Sequence, residues 1–213
     1  MVGAIGALLG AGLWFLAAGL FAQETPFVEG GHYELLSEAQ PVQTGDKIEV
    51  VELFWYQCPH CYRLEPFIDR WRQNKPENAE FVPVPAVLNE RWAFDARMYY
   101  TLEALGLDRQ LHADLFKAIH ETRLPLNTPK RFADWAVENG ADRQALTAAF
   151  DSFGVENKIN FATVMSRKYG ISGVPAIIID GKYRTSVSLA GGHEKLLEVI
   201  DHLVNLAAEQ RAG

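Results

Sequence analysis

Residues 47–62 read Lys47-Ile-Glu-Val-Val-Glu-Leu-Phe-Trp-Tyr-Gln-Cys-Pro-His-Cys-Tyr62, and this stretch decides the fold. Its first nine residues are mostly β-branched or aromatic, which is typical of a buried strand. Cys58 follows at once, and Pro59 suits the first position of a helix, where its missing N–H costs nothing. Apolar residues then continue at helical spacing through Trp71. Residues 47–71 are therefore predicted to form a strand and a helix that meet at Cys58.

The flanking sequence extends this pair into an α/β pattern. A second strand is predicted over 79–84, closed by Pro83 and Pro85, which completes a β-α-β unit. Strand character returns over 173–180 and 182–185, where Asp180-Gly181 indicates a two-residue hairpin. A short edge strand is expected over 32–36, and a final helix over 192–208.

The middle of the chain has a different character. Helical periodicity runs from about residue 91 to 169 with few strand signals, and Gly106, Pro125 and Gly140 interrupt it. The pattern predicts helices over 91–105, 109–121, 128–139, 143–150 and 155–169. A block of helices is thus expected between two parts of one α/β domain.

Length and charge narrow the class of protein. The chain has 213 residues, 48% of them apolar, which suits one compact domain or one domain with an insertion. The formal net charge is −7 and no long basic run is present, so neither nucleic-acid binding nor docking on an anionic membrane has electrostatic support.

The N-terminus predicts export. Residues 2–22 contain no charged side chain. Two interpretations stay open: a cleaved signal peptide, favoured by the small residues at the end of the stretch, and an uncleaved anchor, since about 20 apolar residues can span a bilayer. Either places the rest of the chain outside the cytoplasm, so residues 1–22 are excluded from the fold.

The two cysteines are best explained as a redox pair. A bridge between Cys58 and Cys61 closes a very small loop and would constrain the unfolded chain little, which disfavours a stabilising staple. A structural zinc site usually needs four ligands, and no second cluster joins Cys58, His60 and Cys61. We expect neither a metal nor another cofactor.

The position of the pair at a helix start predicts its chemistry. Unpaired N–H groups and the positive end of the helix dipole should lower the thiol pKa of Cys58. Cys61 lies one turn later on the same face, and a partly positive His60 would favour the thiolate further. A stabilised thiolate stabilises the reduced form, so the disulfide becomes a stronger oxidant.

These residues resemble a known family. The run from Glu52 to Tyr62 is similar to the start of DsbA, the bacterial periplasmic thiol:disulfide oxidoreductases, and Gly173-Val174-Pro175-Ala176 resembles their cis-proline loop. The resemblance implies a thioredoxin-like α/β fold with an inserted helical domain. On that basis residues 23–88 and 164–213 form the thioredoxin-like domain, and residues 89–163 form the insertion.

The resemblance also implies roles for single residues. Cys58 would attack and form the mixed disulfide, Cys61 would resolve it, and Pro59 and His60 would tune the pair. Pro175 would be cis against the disulfide, and Val174 would offer backbone groups to a substrate strand. The alternative for Pro175 is a trans proline that opens a strand.

Glu52 is the last of these candidates. The resemblance implies a buried acid beneath the cysteines that assists proton transfer, and burial should raise its pKa. The alternative is a glutamate that faces solvent. Some family members carry a lysine near this acid on the following strand, and residues 81–85 contain none.

The predicted function is donation of the Cys58–Cys61 disulfide to newly exported, cysteine-containing proteins. The resemblance implies a periplasmic monomer that a DsbB-like membrane oxidase recharges. The alternatives are a disulfide isomerase or reductase, and a non-catalytic peptide-binding chaperone. Isomerases of this superfamily usually add an N-terminal dimerisation domain, for which the short leader over 23–31 leaves no room.

Overall fold

The structure is a computed structural model that describes residues 27–213. The predicted signal peptide or anchor lies outside these residues. Within the described part of the chain, no helix is both long and apolar enough to cross a membrane.

A five-stranded sheet forms the centre of the molecule. Its strands are β1 (Glu34–Leu35), β2 (Ile48–Phe54), β3 (Ala79–Pro85), β4 (Ala176–Ile179) and β5 (Tyr183–Thr185), in the order β1-β5-β4-β2-β3. β2 and β3 are parallel, and the other neighbouring pairs are antiparallel. Every residue of β2 is buried, which explains why its sequence is apolar except at Glu49 and Glu52.

The helices follow the predicted order. They are α1 (Pro59–Asn74), α2 (Glu90–Ala104), α3 (Asp108–His120), α4 (Pro129–Glu138), α5 (Arg143–Phe150), α6 (Phe153–Lys168), α7 (Val187–Ala190) and α8 (His193–Ala212). The helices α2 to α6 lie between β3 and β4, as expected for an insertion. Its boundaries at 88 and 163 stay a prediction, and α6 continues beyond the second of them.

The sequence did not predict α7. This four-residue helix is capped by the Ser186 hydroxyl and ends at Gly191, whose φ of 90° is left-handed. A segment this short is below the window in which helical periodicity is visible.

Pro83 does not close β3, contrary to the prediction. The strand runs through it to Pro85 and pairs with β2 along its whole length. β3 is an edge strand, and Ala86 N–H donates to the Phe54 carbonyl at 2.8 Å, so alternate N–H groups face β2. Pro83 and Pro85 occupy the positions between, where a missing N–H breaks no bond of the sheet.

The sheet separates two apolar cores. Val51 and Leu53 of β2 face a core shared with the helices α2 to α6. Ile48 and Val50 face the other core, which α1 and α8 cover. Side chains alternate along a strand, so Glu52 lies on the same face as Ile48 and Val50 and points towards α1.

Candidate active site

The first cysteine forms the N-cap of α1. Cys58 has φ −84° and ψ 114°, outside helical values, and its sulfur accepts a hydrogen bond from the Cys61 N–H at 3.4 Å. Pro59 occupies the first turn, as the sequence predicts. The Cys58 N–H donates to the Trp55 carbonyl at 2.9 Å, so the loop after β2 holds the cysteine at the helix start. Both cysteines are free thiols.

The pKa values of the two thiols are shifted in opposite directions. A hydrogen bond from the Cys61 thiol lowers the pKa of Cys58 to about 6, with help from the Cys61 and His60 N–H groups and the His60 charge, although burial opposes the shift. Burial raises the pKa of Cys61 far above its usual range, and the neighbouring Cys58 raises it further. Cys61 is fully buried and Cys58 is 7% exposed. Cys58 is therefore the thiolate near neutral pH, and Cys61 stays protonated.

The loop before β4 lies against Cys58. The Val174–Pro175 peptide bond is cis, as the resemblance implies, and the trans alternative is wrong. Sγ of Cys58 lies 3.4 Å from the Val174 carbonyl oxygen. The two residues are 116 positions apart in the chain, so only the folded sheet brings them together.

An open groove starts at this loop and ends at α7. It has a volume of about 750 Å³, and its lining includes His60, Val174, Pro175, Arg184 and Leu189. His60 is exposed, and its Nδ1 lies 2.9 Å from Nη2 of Arg63. The groove therefore offers apolar surface and backbone groups directly beside the more acidic cysteine.

Glu52 is buried beneath this site, at 1% exposure. The solvent-facing alternative is therefore wrong. Burial raises the pKa of its carboxyl well above the usual range, and the nearby Glu65 carboxylate raises it further, while Arg72 opposes the shift. Within the described residues, its Oε1 has no hydrogen-bond partner. The neighbour of Glu52 on β3 is Pro83, so the position beside Glu52 on that strand is uncharged.

The charged residues around Glu52 come from α1. Glu65, Asp69 and Arg72 all influence its pKa, and sequence reasoning did not find them. A signal was present, since these residues follow Cys61 at spacings of 4, 8 and 11 residues and so lie on one helical face. The cation that acts on Glu52 is therefore Arg72 on α1, because the neighbouring residue on β3, Pro83, is uncharged.

A second buried carboxyl was also missed. Asp95 of α2 is 3% exposed, and burial raises its pKa to about 7, although Trp55, Arg91 and Gln57 oppose the shift. The Trp55 ring stacks on Trp92 with a centroid distance of 4.4 Å. The insertion therefore supports the loop before Cys58 through aromatic and charged groups.

Comparison with known proteins identifies the family. A family profile described as a DSBA-like thioredoxin domain matches residues 49–201. The chain is 37% identical to the thiol:disulfide interchange protein DsbA of Pseudomonas aeruginosa, over 87% of this chain and 88% of that protein. It is 41% identical to the DsbA of Azotobacter vinelandii, over 82% of each. The chain belongs to the DsbA family.

Solved structures of DsbA proteins agree with this assignment. The crystal structure of Pseudomonas aeruginosa DsbA superposes with a TM-score of 0.84 at 35% identity, and the match covers 88% of this chain and 97% of that one. The oxidoreductase DsbA of Xylella fastidiosa gives 0.79 at 29% identity, over 87% and 98%. The predicted thioredoxin-like fold is confirmed, and the chain is a thiol:disulfide oxidoreductase.

Proposed function

We propose that this DsbA-family protein oxidises thiol pairs in newly exported proteins by giving them the Cys58–Cys61 disulfide. The observation that carries the proposal is the thiol asymmetry, with a pKa of about 6 at Cys58 and a strongly raised pKa at Cys61. A low-pKa thiolate stabilises the reduced form, so the oxidised form readily gives up its disulfide.

The exchange proceeds in two steps. A substrate thiolate attacks the Cys58 sulfur, the intramolecular S–S bond breaks, and Cys61 leaves with the electron pair and takes up a proton. A second substrate thiolate then attacks the substrate sulfur of the mixed disulfide, and Cys58 leaves as a thiolate. The substrate gains a disulfide and the enzyme is left with two reduced cysteines. The low pKa of Cys58 makes it a good leaving group in the second step.

Substrate binding is assigned to the groove beside Cys58. Val174 carries the backbone groups next to the sulfur, and Pro175 and His60 form the adjoining walls. An extended peptide that lies along this loop would present its cysteine directly to Cys58. Glu52 is proposed to exchange the proton with Cys61, since it influences the pKa of that thiol from beneath.

The compartment, the oligomeric state and the reoxidising partner are inferred from membership of the DsbA family. We infer that the protein works in the periplasm as a monomer and that a DsbB-like membrane oxidase reoxidises it. Support comes from the uncharged residues 2–22 and from the relationship to DsbA proteins.

The test is the reduction potential of the protein against a glutathione buffer, with the melting temperature of each redox form. An oxidant requires a potential well above that of thioredoxin, roughly −270 mV, and a reduced form that melts higher than the oxidised form. A potential near that of thioredoxin would favour the reductase alternative. A Cys58→Ser, Cys61→Ser double variant that keeps full activity would instead indicate a chaperone.

A further inference from the structure

A histidine of the insertion faces the acidic residues beneath the redox pair. Nε2 of His112 on α3 lies 3.3 Å from Oε1 of Glu65 on α1. Both side chains are largely buried, at 13% and 8% exposure. This contact does not count as a hydrogen bond, and Glu65 Oε1 has no hydrogen-bond partner within residues 27–213. The imidazole is therefore the basic side chain that lies against this buried carboxyl oxygen.

Tyr56 is the hydrogen-bond partner of this imidazole. Its hydroxyl lies 2.9 Å from Nδ1 of His112. Burial raises the pKa of Tyr56 well above its usual value, so the phenol keeps its proton and can donate it to Nδ1. The neutral ring then carries its own proton on Nε2, the nitrogen that lies 3.3 Å from Glu65 Oε1. A further proton makes the ring an imidazolium without moving it, because Phe54 and Phe116 hold it edge-on at 4.9 and 5.2 Å.

A small cavity joins this pair to the surface. It has a volume of about 50 Å³, which is room for one or two water molecules. Its lining includes Glu65 and His112 on the inner side and the exposed Arg109 on the outer side. The charged groups that face the pair from the surrounding elements are Glu52, Asp69, Arg72, Asp108 and Arg109.

Cys61 needs such a connection. Its sulfur is fully buried, and it must gain one proton each time the disulfide is given away. Glu52 can supply that proton but is itself buried at 1% exposure, so another group must return a proton to its carboxylate. The Glu65 carboxylate acts on Glu52 electrostatically, and Glu65 in turn faces His112.

We propose that His112 and Glu65 are positioning residues of the exchange reaction that pass protons between solvent and Glu52. When the disulfide opens, the Glu52 carboxyl protonates the departing Cys61 thiolate and becomes a carboxylate. The His112 imidazolium returns a proton to Glu52 through Glu65 and the cavity, and the imidazole regains its proton from solvent. One proton enters from solvent for each Cys61 thiol that forms. Reoxidation runs the same route in reverse.

The inference rests on the proposed function and is tested on the oxidised protein with His112→Gln. Stopped-flow tryptophan fluorescence would follow oxidation of a reduced peptide that carries two cysteines, between pH 5.5 and 8.5. We expect a rate about tenfold lower at pH 7, below the roughly 10²–10⁴-fold effect of a group that transfers the proton directly. We also expect a changed pH profile, because the variant lacks the imidazole that passes protons from solvent.

His120→Gln is the matched control. His120 lies on the same helix and its Nε2 is 2.7 Å from the Tyr56 carbonyl, but no carboxylate pairs with it among residues 27–213. A loss of loop packing would lower the rate of both variants without changing the shape of the pH profile. We expect His112→Gln to change the shape of the pH profile and His120→Gln to leave it unchanged. Glu65→Gln should change the shape in the same way as His112→Gln, so it tests the route even if His112→Gln folds poorly.

The outcomes separate this inference from the proposed function. A wild-type protein that does not oxidise the peptide would contradict the proposed function. An active wild type, with His112→Gln or Glu65→Gln variants that keep its pH profile, would contradict only the proton route. Equal changes of profile in the His112→Gln and His120→Gln variants would also overturn it.

Discussion

At the residue scale, the behaviour of Cys58 depends on donors within one helical turn. The Cys61 thiol and the N–H groups of Cys61 and His60 all stabilise a negative sulfur. Cys61 is one turn deeper, where burial, its hydrogen bond to Cys58 and the nearby negative charge raise its pKa. Two chemically identical side chains therefore differ in acidity because of where the helix begins.

The stability of the reduced form should depend on pH through Cys58. Its pKa is about 6 in the folded protein and near 9 when exposed, so the stabilisation is complete only above pH 9 and is lost as the pH falls to about 6. We expect the difference in melting temperature between the reduced wild type and Cys58→Ser to shrink steadily from pH 8 to pH 5. Calorimetry at constant ionic strength measures it. A difference that does not vary with pH would contradict the assigned thiolate.

The contribution of Glu52 to stability should vary with pH in the opposite direction to that of Cys58. Its raised pKa keeps the carboxyl protonated in the fold at pH values where the unfolded chain is ionised, so its contribution to stability decreases as the pH rises. We expect Glu52→Gln to gain stability relative to wild type between pH 5 and pH 8, and to oxidise peptides at least about 10²-fold more slowly, because Glu52 transfers the proton directly.

Glu49→Gln is the control for that experiment. Glu49 is also buried on β2, but it lies three residues earlier, on the opposite face, and accepts from the Gln43 N–H at 2.8 Å. Its replacement should leave the oxidation rate unchanged. Equal rate losses in both variants would indicate damage to the strand and not loss of a proton carrier.

At the element scale, four of the five insertion helices begin at a side-chain cap, and α3 is the exception. The side chains of Asn89, Thr128, Asp142 and Ser152 each accept a hydrogen bond from the first turn of α2, α4, α5 and α6. These caps satisfy N–H groups that would otherwise have no partner. The α2 cap also orients Trp92, which stacks on Trp55 beside the cysteines.

Asn89→Ala should therefore destabilise the protein by about 1 kcal/mol, the usual cost of a lost N-cap. Urea denaturation of both redox forms measures the change. Asn160→Ala is the control, since Asn160 is exposed within α6 and alanine favours the helix there. A cost at Asn160 that equals the cost at Asn89 would show that the cap is not the cause.

At the scale of the whole molecule, one core joins the insertion to the sheet. Phe116 of α3 is fully buried and packs against Phe54 and Tyr56, with ring centroids 5.9 and 4.9 Å apart. The active-site loop therefore rests on the insertion. Because this contact is continuous apolar packing, the two parts should unfold together.

Phe116→Ala should cost about 3–5 kcal/mol, as expected for a large aromatic lost from a core. Wild type should melt in a single calorimetric transition, and the variant in a single transition at a lower temperature. Phe161→Ala is the control, because Phe161 is 41% exposed and its loss should change stability by no more than about 0.5 kcal/mol. Two separate transitions in wild type would contradict a shared core.

The sequence by itself determined the local arrangement of this protein. The apolar run of β2, Pro59 in the first turn and the helical spacing to Trp71 place Cys58 at a helix N-terminus. A turn is also predictable at Asp180 and Gly181, whose φ values of 53° and 62° are left-handed, although Ile179 pairs with Tyr183 and the loop therefore has three residues where two were predicted. These features could be predicted because each depends on residues a few positions apart.

Only the tertiary structure decided the environment of the redox pair. The contact of Cys58 with Val174, the charges that Glu65 and Arg72 place near Glu52, and the approach of His112 all join separate elements. The extension of β3 through Pro83 depends on its place at the sheet edge. The physical reason is that burial and Coulomb interactions act through space, so side-chain acidity depends on the packing of distant segments.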